Sequence, residues 1–131
     1  VGALPMKSGV ILLAHGARAA AWAEPFERLA KGLRAQSPDT PVELAFLEWM
    51  EPDFAAACNA LVSQGCQRVE VIPCFFGGAG HVQRDVPILL QTAQAQHPAL
   101  QLVQHEALGV QPAMQQAMQA VCLQLVQQRA P

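Results

Sequence analysis

The chain has 131 residues, of which 52% are hydrophobic and 14% charged, with a formal net charge of −2. That much apolar material builds a packed core and excludes intrinsic disorder, and the length suits one domain. Eight Lys and Arg against ten Asp and Glu leave no basic face for nucleic acid. No run approaches the roughly 18 apolar residues of a membrane span.

We read residues 1–131 as a single domain, with 1–8 a tail leading into the first strand. The opening VGALPMKSG is too short, and too broken by Pro5, to read as a signal peptide. The four cysteines, Cys58, Cys66, Cys74 and Cys122, form no C-x-x-C pair, which argues against a zinc knuckle or a redox motif. Each sits in an apolar run and reads as a small buried hydrophobe. Without a secretion signal, a reduced cytoplasmic setting is expected.

Short apolar runs alternate with helical periods. Gly9 to Ala14 (GVILLA) is the first run, Val42 to Leu47 (VELAFL) the second, Arg68 to Phe76 (RVEVIPCFF) the third, and Leu100 to Val103 begins a fourth. Runs this short and rich in Val, Ile and Leu suit strands covered on both faces. Between the first two, Trp22, Phe26, Leu29, Ala30 and Leu33 repeat with the period of one buried helical face. Phe54, Cys58, Leu61 and Val62 mark a second helix, with Pro52 near its start and Gly65 at its end. Val86, Leu89, Leu90 and Ala93 mark a third, stopped by Pro98, and Met114, Met118, Val121, Cys122 and Leu125 a fourth, whose methionine spacing we read as core packing. The order β-α-β-α-β-α-β-α predicts an α/β fold: a parallel four-stranded sheet flanked by helices, joined by right-handed crossovers.

In such sheets ligands bind outside the carboxyl ends of the strands. His15 ends the first strand, Glu48 follows the second, Gly77-Gly78-Ala79-Gly80-His81 follows the third, and His105 lies just beyond the fourth. Imidazoles and a carboxylate at one edge suit a borderline divalent metal such as Co²⁺, Fe²⁺, Ni²⁺ or Zn²⁺. Gly80 and its neighbours let backbone approach a ligand. The alternative for each histidine alone is a hydrogen-bonded structural role. His97, in the last helical turn before Pro98, reads as a complement to the helix dipole. Glu51 and Asp53 read as acids favouring a helix start. The glycine-rich segment is no phosphate loop: it lacks the G-K-[ST] ending, and Gln83 stands where the last glycine of G-x-G-x-x-G belongs. Ala14 before His15-Gly16 also departs from the Arg-His-Gly of histidine phosphatases.

The segments GVILLAHGAR (Gly9 to Arg18), AFLEWMEP (Ala45 to Pro52) and VIPCFFGGAGHVQRDVP (Val71 to Pro87), with Trp22-Ala23-Glu24-Pro25-Phe26, resemble the CbiX-like sirohydrochlorin chelatases. The pairing of H-G-[SA]-R with the distant G-x-H-x-x-x-D-[ILV]-P is what makes the resemblance specific. It implies a chelatase-type fold, like half of a flavodoxin-like domain, and insertion of Co²⁺, Fe²⁺ or Ni²⁺ into sirohydrochlorin or a related tetrapyrrole, with no organic cofactor. By position it implies His15 and His81 as metal ligands and proton acceptors, with Glu48 in the same site. The implied substrate carries several carboxylates, and Arg18 and Arg84 are the basic residues nearest the two histidines, so both are candidates to grip them. Phe75, Phe76 and Val82 are candidate lining. A metal or tetrapyrrole carrier using the same edge is the alternative activity. The family has half-length members that dimerise, so the resemblance implies a homodimer, with the active cleft near the interface. Three positions depart from the family pattern: Ala19, Ala79 and Gln111 stand where aspartate, glycine and histidine are common.

Overall fold

A computed structural model describes residues 6–77 and 80–129, and of residues 81–83 the backbone alone. The strands are β1 (Ser8–Ala14), β2 (Val42–Phe46), β3 (Arg68–Pro73) and β4 (Gln101–Gln104), and the helices α1 (Glu24–Gln36), α2 (Phe54–Ser63), α3 (His81–Gln96) and α4 (Pro112–Gln127). All strand pairs are parallel, in the order β2-β1-β3-β4. β1 is therefore paired on both sides, and its interior is buried throughout, as its unbroken apolar run requires.

The pleat divides the core in two. Ile11, Leu13, Ala45, Val69 and Val71 face α2 and α3, meeting Phe54, Cys58, Leu61, Val86 and Ala93. Val10, Leu12 and Val42 face α1 and meet Ala30 and Leu33. The Arg34 guanidinium donates to the Val42 carbonyl at 2.7 and 3.1 Å, tying α1 to the start of the strand it precedes. Asp53 caps α2 by accepting from the Ala56 amide at 2.9 Å, which accounts for that acid locally.

Several expectations need correction. The chain joins the sheet before residue 9: Ser8 is already in β1, and the Lys7 carbonyl accepts from the Gln67 and Arg68 amides, so the proposed tail is shorter than 1–8; its residues 1–5 lie outside those described. β3 stops at Pro73 rather than Phe76, because its register with β1 runs out at Leu13↔Pro73. Trp22 sits in a 3-10 turn (Ala20–Ala23), and α1 begins with Pro25 in its first turn. Leu29 is exposed, since Phe26, Ala30 and Leu33 already fill the inward arc of α1. His97 closes α3, and its ring pairs with Asn59 Oδ1 at 2.8 Å.

The largest correction concerns α4. None of its residues is buried; Met114, Val121 and Leu125 are exposed, as is Cys122. The helix rests on the Leu108–Val110 turn, where Gln115 Nε2 donates to the Gly109 carbonyl, and does not fold back over β3 and β4. Its apolar stripe is real, but nothing among the described residues covers it. Among the described residues no helix is long and apolar enough to cross a membrane.

Candidate metal centre

β1 and β2 end side by side, and the loops leaving them meet at once. The Leu47 amide donates to the Ala14 carbonyl at 3.0 Å and the Glu48 amide to the His15 carbonyl at 3.1 Å, so the ladder continues two residues beyond the strands. Gly16 then turns away with φ +97°. A β-carbon there would overlap the Glu48 carbonyl, so only glycine lets the two loops come this close.

That approach sets the side chains. His15 Nε2 lies 3.0 Å from Glu48 Oε1, with the two side chains 43% and 52% exposed. The pair is accessible from solvent. Of the three acids in this segment only Glu48 meets the histidine.

His81 opens α3, and Gly80 precedes it with φ +99°, in the left-handed region glycine tolerates. The His81 side chain lies outside the described residues, as do those of Val82 and Gln83 and all of Gly78 and Ala79. Among the described residues no group of three or more His, Cys, Asp or Glu side chains is placed to hold a metal. The described residues bring two potential donor atoms together here, His15 Nε2 and Glu48 Oε1.

His105 does not join it. Its Nε2 pairs with Glu70 Oε2 at 2.9 Å, while Arg68 Nε donates to Glu70 Oε1 at 2.9 Å. Glu70 lies on β3, and the His105 hydrogen bond is the main reason its carboxyl titrates below the usual glutamate range. Cys74 follows β3 and is half-buried, and burial pushes its thiol up to about 11. Arg84 is exposed on α3, with no ion pair among the described residues. Arg18 sits with its guanidinium 4.2 Å from the centroid of the Trp49 ring. Phe75 packs on the core, while Phe76 is 79% exposed.

Sequence reasoning missed two residues here. Trp49 is 60% exposed and has φ +68°, a conformation bulky side chains avoid. Gly109 donates its amide to the Phe75 carbonyl at 2.9 Å and leaves no room for a β-carbon against the Phe76 carbonyl, pinning the root of α4 to the exit of β3. The tryptophan stood next to a residue already singled out; the glycine carried no signal. A groove of about 480 Å³ between α1 and β2, lined by Lys31, Arg34, Glu43 and Glu51 among others, contains neither His15 nor Glu48.

Known proteins share both sequence and fold. The sirohydrochlorin cobaltochelatase of Methanocaldococcus jannaschii is 30% identical over 88 residues, covering 67% of this chain and 62% of that protein. The sirohydrochlorin ferrochelatase of Bacillus subtilis is 24% identical over 105 residues, covering 80% and 40% respectively. The chain thus spans less than two thirds of the length of these curated relatives. Among solved structures, a cobalamin (vitamin B12) biosynthesis CbiX protein from Marinobacter aquaeolei VT8 superposes with a TM-score of 0.81 at 28% identity, covering 92% of this chain and 98% of that one. SirB from Bacillus subtilis with Fe³⁺ gives the same TM-score at 22% identity, covering 96% of this chain and 49% of that one, a likeness of fold. The CbiX family model matches residues 9–125, nearly the whole described chain, and the protein belongs to the CbiX family.

Proposed function

We propose that this chain inserts a divalent metal, Co²⁺ or Fe²⁺, into sirohydrochlorin or a closely related tetrapyrrole. The observation that carries the proposal is the His15–Glu48 pair at the carboxyl edge. Two adjacent ligands of an octahedral metal, each at about 2.1 Å, stand about 3 Å apart, so a nitrogen and an oxygen separated by 3.0 Å can close on one ion with little movement. Names of relatives agree on metal insertion and differ on cobalt or iron. His81, the first residue of α3, is proposed as the second imidazole.

Insertion exchanges two pyrrole N–H protons for M²⁺. The protein has to hold the ion, release it and take up the protons. A neutral imidazole and a carboxylate hold the ion weakly and leave coordination positions open to the macrocycle, as catalytic metal sites do. As the ion passes to the ring nitrogens, the vacated His15 nitrogen and Glu48 oxygen become free to accept the two departing protons. Four strong ligands would trap the metal instead.

The test is to mix the protein anaerobically with sirohydrochlorin and Co²⁺, Fe²⁺ or Ni²⁺ and follow the macrocycle absorbance. Turnover well beyond one equivalent, above the protein-free rate, is expected with Co²⁺ or Fe²⁺, and the Ni²⁺ arm reports whether the site discriminates. Stoichiometric binding without acceleration would make the protein a carrier. His15→Ala and His81→Ala are expected to remove turnover while leaving the circular dichroism spectrum intact; normal turnover in both would refute the ligand assignment.

We further propose that the functional unit is a homodimer in which a second copy covers α4. Met114, Met118, Val121 and Leu125 are spaced four, three and four apart, a seam one helix can present to another. The helix carries no charged residue from Pro112 to Gln127, so self-pairing about a two-fold axis meets no like-charge repulsion. Gly109 roots this helix beside the exit of β3, which brings the interface to the edge that bears the site. The four unpaired thiols suit a reducing, cytoplasmic setting.

A further inference from the structure

Among the described residues, core packing does not account for the place of Trp49. The other tryptophan, Trp22, packs on Phe26 and Phe46 with ring centroids 4.8 and 6.5 Å away. Trp49 belongs to no core cluster and keeps 60% of its surface in water, an unfavourable exposure for a large ring. Its backbone is strained as well. The Met50 amide donates to the Glu48 carbonyl at 2.8 Å, closing a three-residue turn with Trp49 at its centre, and such a turn with positive φ is rare and costly. Strain of this kind persists where the surroundings impose it, and it gathers at ligand sites. Here the surroundings are the site itself, because the Glu48 carbonyl that accepts from Met50 is the one packed against Gly16. The turn thus puts an exposed indole on the residue next to Glu48, whose carboxylate meets His15.

Two more features give the indole a purpose. The Arg18 guanidinium lies over the ring, 4.2 Å from its centroid, so one face of the indole carries a positive charge and only its other face can meet a ligand. On the opposite side of β1, Phe76 of the loop after β3 is also exposed, so the strand that delivers His15 ends between two aromatic residues. An aromatic surface that carries a cation, one residue along the chain from the proposed metal-binding Glu48, fits a planar, anionic, metal-accepting ring.

Resting on the tetrapyrrole reading above, we propose that Trp49, with Arg18 held against it, is the platform on which the macrocycle lies: the indole takes its π face and the guanidinium one of its peripheral carboxylates. Trp49 is then the residue that selects a flat ring over metal alone, and Arg18 the one that selects an acidic ring.

Four substitutions test this, with metal-free sirohydrochlorin and Co²⁺ titrated separately. Trp49→Ala is expected to weaken sirohydrochlorin binding about tenfold and to raise KM far more than it lowers kcat, with Trp49→Phe recovering most of the loss and Co²⁺ binding unchanged in both. Trp49→Gly separates the platform from a structural role, because glycine accepts the positive φ: its melting temperature is expected to hold or rise while macrocycle binding falls as in Trp49→Ala. Arg18→Gln is expected to weaken sirohydrochlorin but not its carboxyl-esterified form. If Trp49→Ala binds sirohydrochlorin as the wild type does, the platform is overturned and the chelatase reading stands. If Trp49→Gly unfolds or loses Co²⁺ binding along with the macrocycle, Trp49 is a turn residue and the proposal fails. If the wild type binds no macrocycle, both readings fail.

Discussion

Glu48 reaches His15 only because Gly16 lets two backbones touch, so the sharpest test of the site's construction is a methyl group. Gly16→Ala meets both a left-handed backbone and the Glu48 carbonyl, and is expected to destabilise the protein by about 2 kcal/mol or more. Denaturant unfolding would measure this, and a loss under about 0.5 kcal/mol, the range of an ordinary surface change, would mean the loops separate without cost. Glu70 makes a prediction of the opposite kind. Its folded carboxyl titrates below its ordinary value of 4.5, chiefly through the His105 hydrogen bond, so it contributes stability that is present above about pH 4.5 and lost as pH falls through the lowered value. Glu70→Gln is expected to flatten the acid side of the melting-temperature profile and leave the neutral side nearly level; parallel profiles would remove Glu70 from the acid response. The sequence made His15 and Glu48 legible because chemistry-bearing residues at strand ends stand out from apolar runs. It hid the Glu70–His105 pair, since pairing across two strands depends on register, and it hid Trp49, since a backbone angle leaves no mark in composition.

Elements were legible to within a few residues wherever an apolar run had to fill a buried strand, and β1, β2 and β4 follow the expected runs closely. β3 was overextended because Cys74-Phe75-Phe76 is apolar for another reason, lining the exit from the sheet. The instructive failure is α4. Periodicity reveals that a helix has an apolar face, but it cannot say whether the chain itself supplies a cover. Val121 and Leu125 are more than half exposed and belong to no core cluster among the described residues, so Val121→Glu with Leu125→Glu is expected to leave the far-ultraviolet spectrum unchanged while converting a dimer to a monomer in size-exclusion chromatography with light scattering. Wild-type protein running at the protomer mass at micromolar concentration, or a charged variant that remains dimeric, would move the interface elsewhere.

At the scale of the whole molecule, the order β2-β1-β3-β4 places the first strand second from one edge, with hydrogen-bonded neighbours on both sides, and seals its interior under helices on both faces. Backbone amides in such a strand exchange with solvent only when the entire domain opens. Those of Ile11, Leu12 and Leu13 are expected to be among the slowest by hydrogen exchange, and those of α4 among the fastest in the isolated protomer. Comparable rates for the two would mean that α4 is held by something within the chain. The contrast carries over to the site, which belongs to the slow side. Glu48 gives its amide to the His15 carbonyl and packs its own carbonyl against Gly16, so both donors are fastened to the part of the protein that is last to open. A bound ion would then meet two ligands that keep their spacing for as long as the domain stays folded.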